Sequence, residues 1–73
     1  MPKTIYSKHH KYAVERLRMA RLNAKLDQVK VGKLLGKTQS YVSKAESGQR
    51  RIDIVQLKEF ARIYKKPITY FLK

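Results

Sequence analysis

Apolar residues recur every three or four positions along most of this chain, which is the spacing of one face of an α-helix. Residues 10–24 predict a first helix, whose inward stripe is Ala13, Val14, Leu17, Ala20 and Ala24. Residues 54–64 predict another, which follows the N-cap candidate Asp53 and whose inward stripe is Leu57, Phe60, Ala61 and Tyr64. No segment alternates between apolar and polar residues over the length of a strand. The pattern therefore predicts an all-α fold.

Two shorter helices joined by a tight turn are predicted in the middle of the chain. The first covers residues 28–35, follows the N-cap candidate Asp27, and ends at Gly36, because the turn requires a residue that tolerates positive φ. The second covers residues 39–47 and follows the N-cap candidate Thr38. Two helices joined in this way form a helix-turn-helix, which places its second helix in the major groove of DNA.

The two sides of these helices differ in polarity. The first has an apolar face formed by Val31, Leu34 and Leu35, and the second turns Val42 and Ala45 inward. The outward side of the second helix carries four side chains that can hydrogen-bond base edges or phosphates. They are Gln39, Ser40, Ser43 and Lys44.

The two ends of the chain complete a prediction of five helices. Residues 1–8 form a basic, weakly patterned arm, which we expect to be flexible, ahead of a helix-turn-helix domain at residues 9–73. After the helix at residues 54–64, Pro67 blocks continuation and can open a last short helix at residues 68–72. The predicted architecture is five helices with short connections.

The charge balance indicates a polyanionic partner. The 73 residues include 18 Lys or Arg and 5 Asp or Glu, which gives a formal net charge of +13. DNA, RNA and an anionic membrane surface would all attract such a chain, so charge alone does not choose among them. No apolar run approaches the roughly 20 residues that span a bilayer, and the N-terminus lacks the apolar core of a signal peptide. We therefore expect a cytoplasmic protein that does not enter a membrane.

The residue types that support catalysis or metal binding are sparse. Cysteine is absent, which excludes a disulfide framework and a thiolate metal site. Each of the five acidic residues has a capping, salt-bridge or solvent role available, and the adjacent His9 and His10 cannot face one helical site together. No glycine-rich phosphate loop or nucleophile motif is present. We therefore expect no enzymatic activity, no metal and no cofactor.

Residues 17–72 resemble the Cro/C1-type helix-turn-helix regulators, the XRE family of phage and bacterial repressors. The resemblance rests on one register of residues across five segments: Arg21, Leu26, Gln28, Val31, Leu35, Gly36, Val42, Ser43, Glu46, Gly48, Leu57, Phe60, Ala61, Ile68, Phe71 and Leu72. It implies a compact five-helix domain of the lambda-repressor type. Two positions depart from the family: Gly32 stands where alanine is usual, and Lys37 replaces the apolar residue that commonly follows the turn glycine.

The resemblance also implies which residues contact DNA. The positions where relatives make base or further contacts are Gln39, Ser40, Ser43 and Lys44, and Tyr41 beside them is our own additional base-reading candidate. The backbone-contacting positions of relatives are Gln28, Arg50 and Arg51. Two further backbone candidates are our own: Lys37, whose positive charge can turn toward the phosphates, and Thr38. In relatives, a glutamine at the position of Gln28 contacts phosphate and braces one at the position of Gln39, which faces bases. Alternatives stay open: Gln39 can serve only to start its helix, Tyr41 can pack over the preceding helix, and Ser43 can be solvated.

Arg21 and Glu46 match a pair that, in relatives, ties the first helix to the second motif helix by a buried ion pair. Removal of one partner leaves the other charge buried without a partner, which destabilises the fold by about 3–5 kcal/mol when the pair is truly buried. The alternative is an exposed bridge that contributes at most about 1 kcal/mol.

The function implied by the resemblance is sequence-specific binding of double-stranded DNA by a transcriptional regulator, a repressor that occupies its operator as a homodimer. The C-terminal residues Tyr70, Phe71 and Leu72 are candidates for the dimer interface, and they can also serve the core of one protomer. No small-molecule ligand is evident. A second hypothesis is an antitoxin-type or other protein-interaction module that also binds DNA. A third is RNA or membrane binding by charge, which would not require the ordered motif.

Overall fold

The predicted helices are present in the predicted order. The computed structural model describes residues 8–72, and this part of the chain contains α1 (Lys8–Asn23), α2 (Gln28–Leu35), α3 (Gln39–Ser47), α4 (Ile54–Tyr64) and a final 3-10 helix (Ile68–Phe71). No strand occurs within the described range, so the all-α prediction is confirmed. The bounds of α2, α3 and α4 are those predicted, and the last element is one 3-10 turn that stops before Leu72.

Most of the predicted N-terminal arm lies outside the described residues. Residues 1–7 fall in that part of the chain, whereas Lys8, which we assigned to the arm, is the first residue of α1. The helix therefore begins two residues before the predicted start at His10. Apolar spacing marks only the packed part of a helix, so it does not show where a polar first turn begins.

Polar side chains begin three of the helices at the predicted positions. Asp27 and Thr38 each accept a hydrogen bond from the backbone N–H three residues further on, at 2.7 and 3.1 Å. Asp53 accepts from the backbone of Gln56, whose side chain accepts in return from the backbone of Asp53. Each cap satisfies an N–H group that has no partner inside its own helix. The starts of α2, α3 and α4 are thus determined by local sequence.

The turn between α2 and α3 is unusually close to α2. Gly36 ends α2 with φ of 70°, a left-handed conformation that glycine adopts without steric cost. The backbone N–H of Lys37 then donates to the carbonyl of Gly32 at 2.8 Å. A Cβ atom at Gly32 would lie 3.0 Å from the carbonyl carbon and oxygen of Thr38. This close backbone approach explains why glycine occupies the position where the family usually has alanine.

The core draws side chains from every helix of the described region. Its buried members are Leu17, Ala20, Val31, Val42, Ala45, Leu57, Phe60, Ala61, Tyr64 and Phe71. Two residues that we predicted to face inward are exposed instead. Ala24 lies beyond the end of α1, and Leu34 on α2 is 50% exposed. Helical spacing predicted an inward apolar face that is wider than the one that is buried, because spacing does not show how much of a helix the neighbouring helices cover.

Candidate nucleic-acid interface

The outer side of α3 is polar and accessible. Gln39, Ser40 and Lys44 are exposed, and Ser43 is partly exposed. On the opposite side of the same helix, Val42 is completely buried and holds α3 against the core. Four of the five predicted base-reading residues therefore lie on one helix surface that a DNA groove could reach.

Arg21 and Glu46 join α1 to α3 by a bidentate ion pair. Arg21 Nε donates to Glu46 Oε2 at 2.7 Å, and Arg21 Nη2 donates to Glu46 Oε1 at 3.1 Å. Arg21 Nη1 also donates to the carbonyl of Leu26 at 3.1 Å, so the same guanidinium holds the loop between α1 and α2. The two side chains are only 12% and 5% exposed, which makes this pair a largely buried one. The hydrogen bond to Glu46 raises the pKa of Arg21.

Gln28 connects this ion pair to the start of α3. Its Nε2 donates to Glu46 Oε1 at 3.2 Å, and its Oε1 accepts from Gln39 Nε2 at 2.8 Å. Because a carboxylate only accepts hydrogen bonds, Glu46 fixes which end of the Gln28 amide faces Gln39. Gln39 therefore donates to Gln28 and keeps its oxygen and its second amide hydrogen for other partners. We call Arg21, Glu46, Gln28 and Gln39 the glutamine network.

Tyr41 differs from the other residues predicted to read bases. Its ring is parallel to that of Phe60 on α4, with 6.2 Å between centroids and 7° between planes. The guanidinium carbon of Arg50 lies 4.4 Å from the Tyr41 ring centroid, and Lys37 Nζ lies 5.5 Å from it. The ring thus packs on α4 and contacts two cationic side chains. A base-reading role for Tyr41 stays a prediction.

The residues predicted to contact the DNA backbone lie around both ends of α3. Lys37 and Thr38 precede the helix and are exposed. In the loop that follows it, Arg51 is exposed, whereas Arg50 is half-buried against Tyr41. With α3 in a groove, cations at its two ends are suited to contact the phosphates that border that groove.

One basic residue beside α3 was missed by the sequence analysis. A shallow cleft between α1 and α3 is lined by Arg18, Arg21, Gln28, Ser43, Glu46 and Ser47. Arg18 is exposed at this cleft. Its position three residues before Arg21 could have predicted that both lie on one face of α1. Arg18 is therefore a further candidate for contact with DNA.

The three predicted dimer residues have different surroundings. Phe71 has no exposed surface and belongs to the core of its own protomer, which corrects its assignment to an interface. Leu72 is 47% exposed. Tyr70 is half-buried between two cations: the guanidinium carbon of Arg16 and Lys66 Nζ lie 4.6 and 4.9 Å from its ring centroid. Of the three residues, only Tyr70 and Leu72 can reach a partner.

Residues 8–72 contain no group of three His, Asp or Glu side chains that could hold a metal ion. None of the helices in this range is long and apolar enough to cross a membrane. The polar surface of α3 and the cations at its ends remain the candidate site.

The fold and this surface define a helix-turn-helix protein of the DNA-binding regulator class. The chain belongs to the helix-turn-helix family HTH_3, whose family model matches residues 17–71. This match confirms the resemblance to Cro/C1-type regulators. It covers every member of the glutamine network and all of α2, α3 and α4. A comparison with curated proteins finds no matching relative.

Proposed function

We propose that this protein is a transcriptional repressor that binds a specific double-stranded operator as a homodimer. The observation that carries the proposal is the hydrogen bond from Gln39 to Gln28, which holds a glutamine side chain at the exposed start of α3. A side chain that is held in place before binding loses less conformational entropy on binding, which favours recognition of one geometry.

The orientation of Gln39 suggests the base that it reads. After donating one amide hydrogen to Gln28, it retains an acceptor oxygen and one donor hydrogen. Adenine presents the complementary pair in the major groove, a donor at N6 and an acceptor at N7. We infer that Gln39 reads adenine and that Ser40, Ser43 and Lys44 complete the base contacts.

Backbone contacts supply the rest of the affinity. Gln28, Lys37, Thr38, Arg50 and Arg51 surround the base-reading surface and are proposed to contact phosphates. Such contacts fix the position of a protein on DNA without selecting a sequence. Each neutralised phosphate contributes about −0.9 to the slope of log K against log salt concentration. We expect four to six contacts per protomer, and therefore a slope of about −4 to −5 for each protomer, or twice that for the dimer.

Dimer formation would double the number of base contacts. One small domain offers a single recognition helix, whereas helix-turn-helix dimers place two of them about one DNA turn apart. Tyr70 and Leu72 are the proposed interface residues that stay accessible. A protein of this class would act as a repressor by excluding polymerase from the operator, in the cytoplasm where that DNA lies.

Selection of bound sequences from a pool of random duplexes tests this function directly. The expected result is one enriched site with two-fold symmetry, bound with strong salt dependence. Footprinting of the enriched site should show protection of both half-sites. Failure to enrich any sequence would overturn specific recognition, and a single protected half-site without symmetry would overturn the dimer.

A further inference from the structure

Two cations converge on one aromatic ring beside α3. Lys37 comes from the turn before the helix and Arg50 from the loop after it, yet both lie over Tyr41, at 5.5 and 4.4 Å from the ring centroid. The ring is itself placed by its parallel contact with Phe60, which has no exposed surface. Tyr41 therefore links the core to one cation from each end of the recognition helix.

The environment of Arg50 shows why this ring matters. Arg50 Nε is buried and has no hydrogen-bond partner among the described residues, so contact with Tyr41 is what places the guanidinium. Contact with the ring through the guanidinium carbon leaves the two terminal Nη groups of Arg50 for a bond to phosphate, whereas its buried Nε cannot take part. The ammonium of Lys37 has three donors, so contact with the ring leaves donors for phosphate there as well.

We propose that Tyr41 is a positioning residue for DNA-backbone binding, whose ring holds Arg50 and Lys37 together as one phosphate-binding site. This inference rests on the DNA-binding function proposed above. Without the ring, both long side chains would have to be ordered when DNA binds, and the lost rotamer freedom would weaken the complex. The site acts on every sequence equally, because phosphate is common to all of them.

Variants at Tyr41 test the role of the ring. Tyr41→Leu keeps an apolar side chain against Phe60 but removes the aromatic face, whereas Tyr41→Phe removes only the hydroxyl. Dissociation constants are measured on the preferred duplex and on a scrambled one. We expect Tyr41→Leu to weaken binding to both by about 5–30-fold, because two long side chains must then be ordered when DNA binds. Tyr41→Phe keeps the aromatic face and should weaken binding less than Tyr41→Leu does.

A double-mutant cycle shows whether Tyr41 acts through Arg50. In an Arg50→Ala background, Tyr41→Leu should lose the part of its effect that acts through Arg50 and keep only the part that acts through Lys37. Arg51→Ala is the matched control, since Arg51 is an exposed cation in the same loop, and here the two effects should multiply. An effect of Tyr41→Leu that is undiminished by Arg50→Ala would overturn the proposal. So would a changed base preference, which would make Tyr41 a base reader.

A charge-conserving variant keeps the test decisive if Tyr41→Leu does not fold. Arg50→Lys retains the positive charge but lacks the planar group that stacks on the ring. It should weaken binding to both duplexes by about 3–10-fold, and by more than Arg51→Lys does, because no ring contact places Arg51. Equal effects of the two variants would contradict the positioning role. If the unaltered protein binds no duplex, the proposed function itself fails, which is a separate outcome.

Discussion

Gln28 accepts a hydrogen bond of 2.8 Å from Gln39 while it donates one of 3.2 Å to Glu46. The base-reading candidate is therefore tied, through one amide, to an ion pair that Arg21 anchors on α1. Three helices must pack correctly before Gln39 acquires its position. The proposed sequence recognition and the folding stability would consequently depend on the same polar contacts.

Gln39→Ala should weaken binding to the preferred operator by about 1–3 kcal/mol and relax the preference at one base pair of each half-site. Titrations on matched and scrambled duplexes measure this. Arg51→Ala is the control: it should weaken both duplexes by similar factors and flatten the salt slope by about one. If Gln39→Ala loses the same affinity for both duplexes, Gln39 contacts the DNA backbone. The bases would then be read by Ser40, Ser43 or Lys44.

Glu46→Ala should destabilise the fold strongly, whereas Glu15→Ala should not. Removing Glu46 leaves the largely buried guanidinium of Arg21 without its carboxylate, at a cost of about 3 kcal/mol. Glu15 is exposed on α1, so its loss should change the free energy of unfolding by less than about 0.5 kcal/mol. For a domain of this size the difference corresponds to roughly 10–20 °C in melting temperature. Thermal unfolding measures it, and equal melting temperatures would show that the pair behaves as a surface bridge.

We expect Tyr64→Phe to leave the free energy of unfolding at pH 7 undiminished. As the pH rises, this variant should lose stability less steeply than the unaltered protein. The hydroxyl of Tyr64 is buried without a hydrogen-bond partner among the described residues, so its removal leaves no group unsatisfied. Burial raises the pKa of Tyr64, the carboxylate of Glu46 raises it further, and Arg21 opposes the shift. Above pH of about 10 the unfolded chain releases this proton while the folded chain retains it, so the unaltered protein loses stability as pH rises.

Urea unfolding between pH 7 and pH 11 measures this dependence. The half-buried Tyr70 provides the matched control, because Tyr70→Phe removes a hydroxyl near the surface. We expect the stability of Tyr64→Phe to fall less steeply above pH of about 10 than that of either the unaltered protein or Tyr70→Phe. Parallel pH curves for all three would contradict the assignment of this dependence to Tyr64.

Gly32→Ala and Gly36→Ala should both destabilise the motif, for different reasons. At Gly32 a Cβ would lie 3.0 Å from the Thr38 backbone, and this overpacking should outweigh the helix propensity of alanine by about 1 kcal/mol. At Gly36 there is space for a Cβ, but φ of 70° costs about 1–2 kcal/mol for alanine. Gly36→Asn should therefore recover part of the loss, because asparagine tolerates this conformation.

Chemical denaturation of the three glycine variants, each compared with the unaltered protein, tests this distinction. Gly32→Ala should lower the unfolding midpoint even though alanine is the better helix former. A higher midpoint for Gly32→Ala would show that the turn shifts to admit the methyl group. The close approach between α2 and the turn would then have no stabilising role.

The bounds of α2, α3 and α4, their N-caps and the class of protein all follow from the sequence. Asp27, Thr38 and Asp53 could be predicted as caps because each acts on a backbone group three residues away. Helix periodicity, the turn glycine and the net charge of +13 are likewise properties of neighbouring residues or of the whole composition. The resemblance supplied the pairing of Arg21 with Glu46, which lie 25 positions apart and which no local pattern relates.

Tertiary structure alone decided which side chains are covered and how they are oriented. Tyr41 lies among the candidate base-reading residues in sequence, but its ring packs against Phe60 from α4 and lies under Arg50. Phe71 is buried while its neighbour Leu72 is 47% exposed, a difference that two adjacent apolar residues do not reveal in sequence. The Gln28 amide is oriented by a carboxylate from another helix. Each outcome depends on contacts between distant elements, which exist only once the helices have packed.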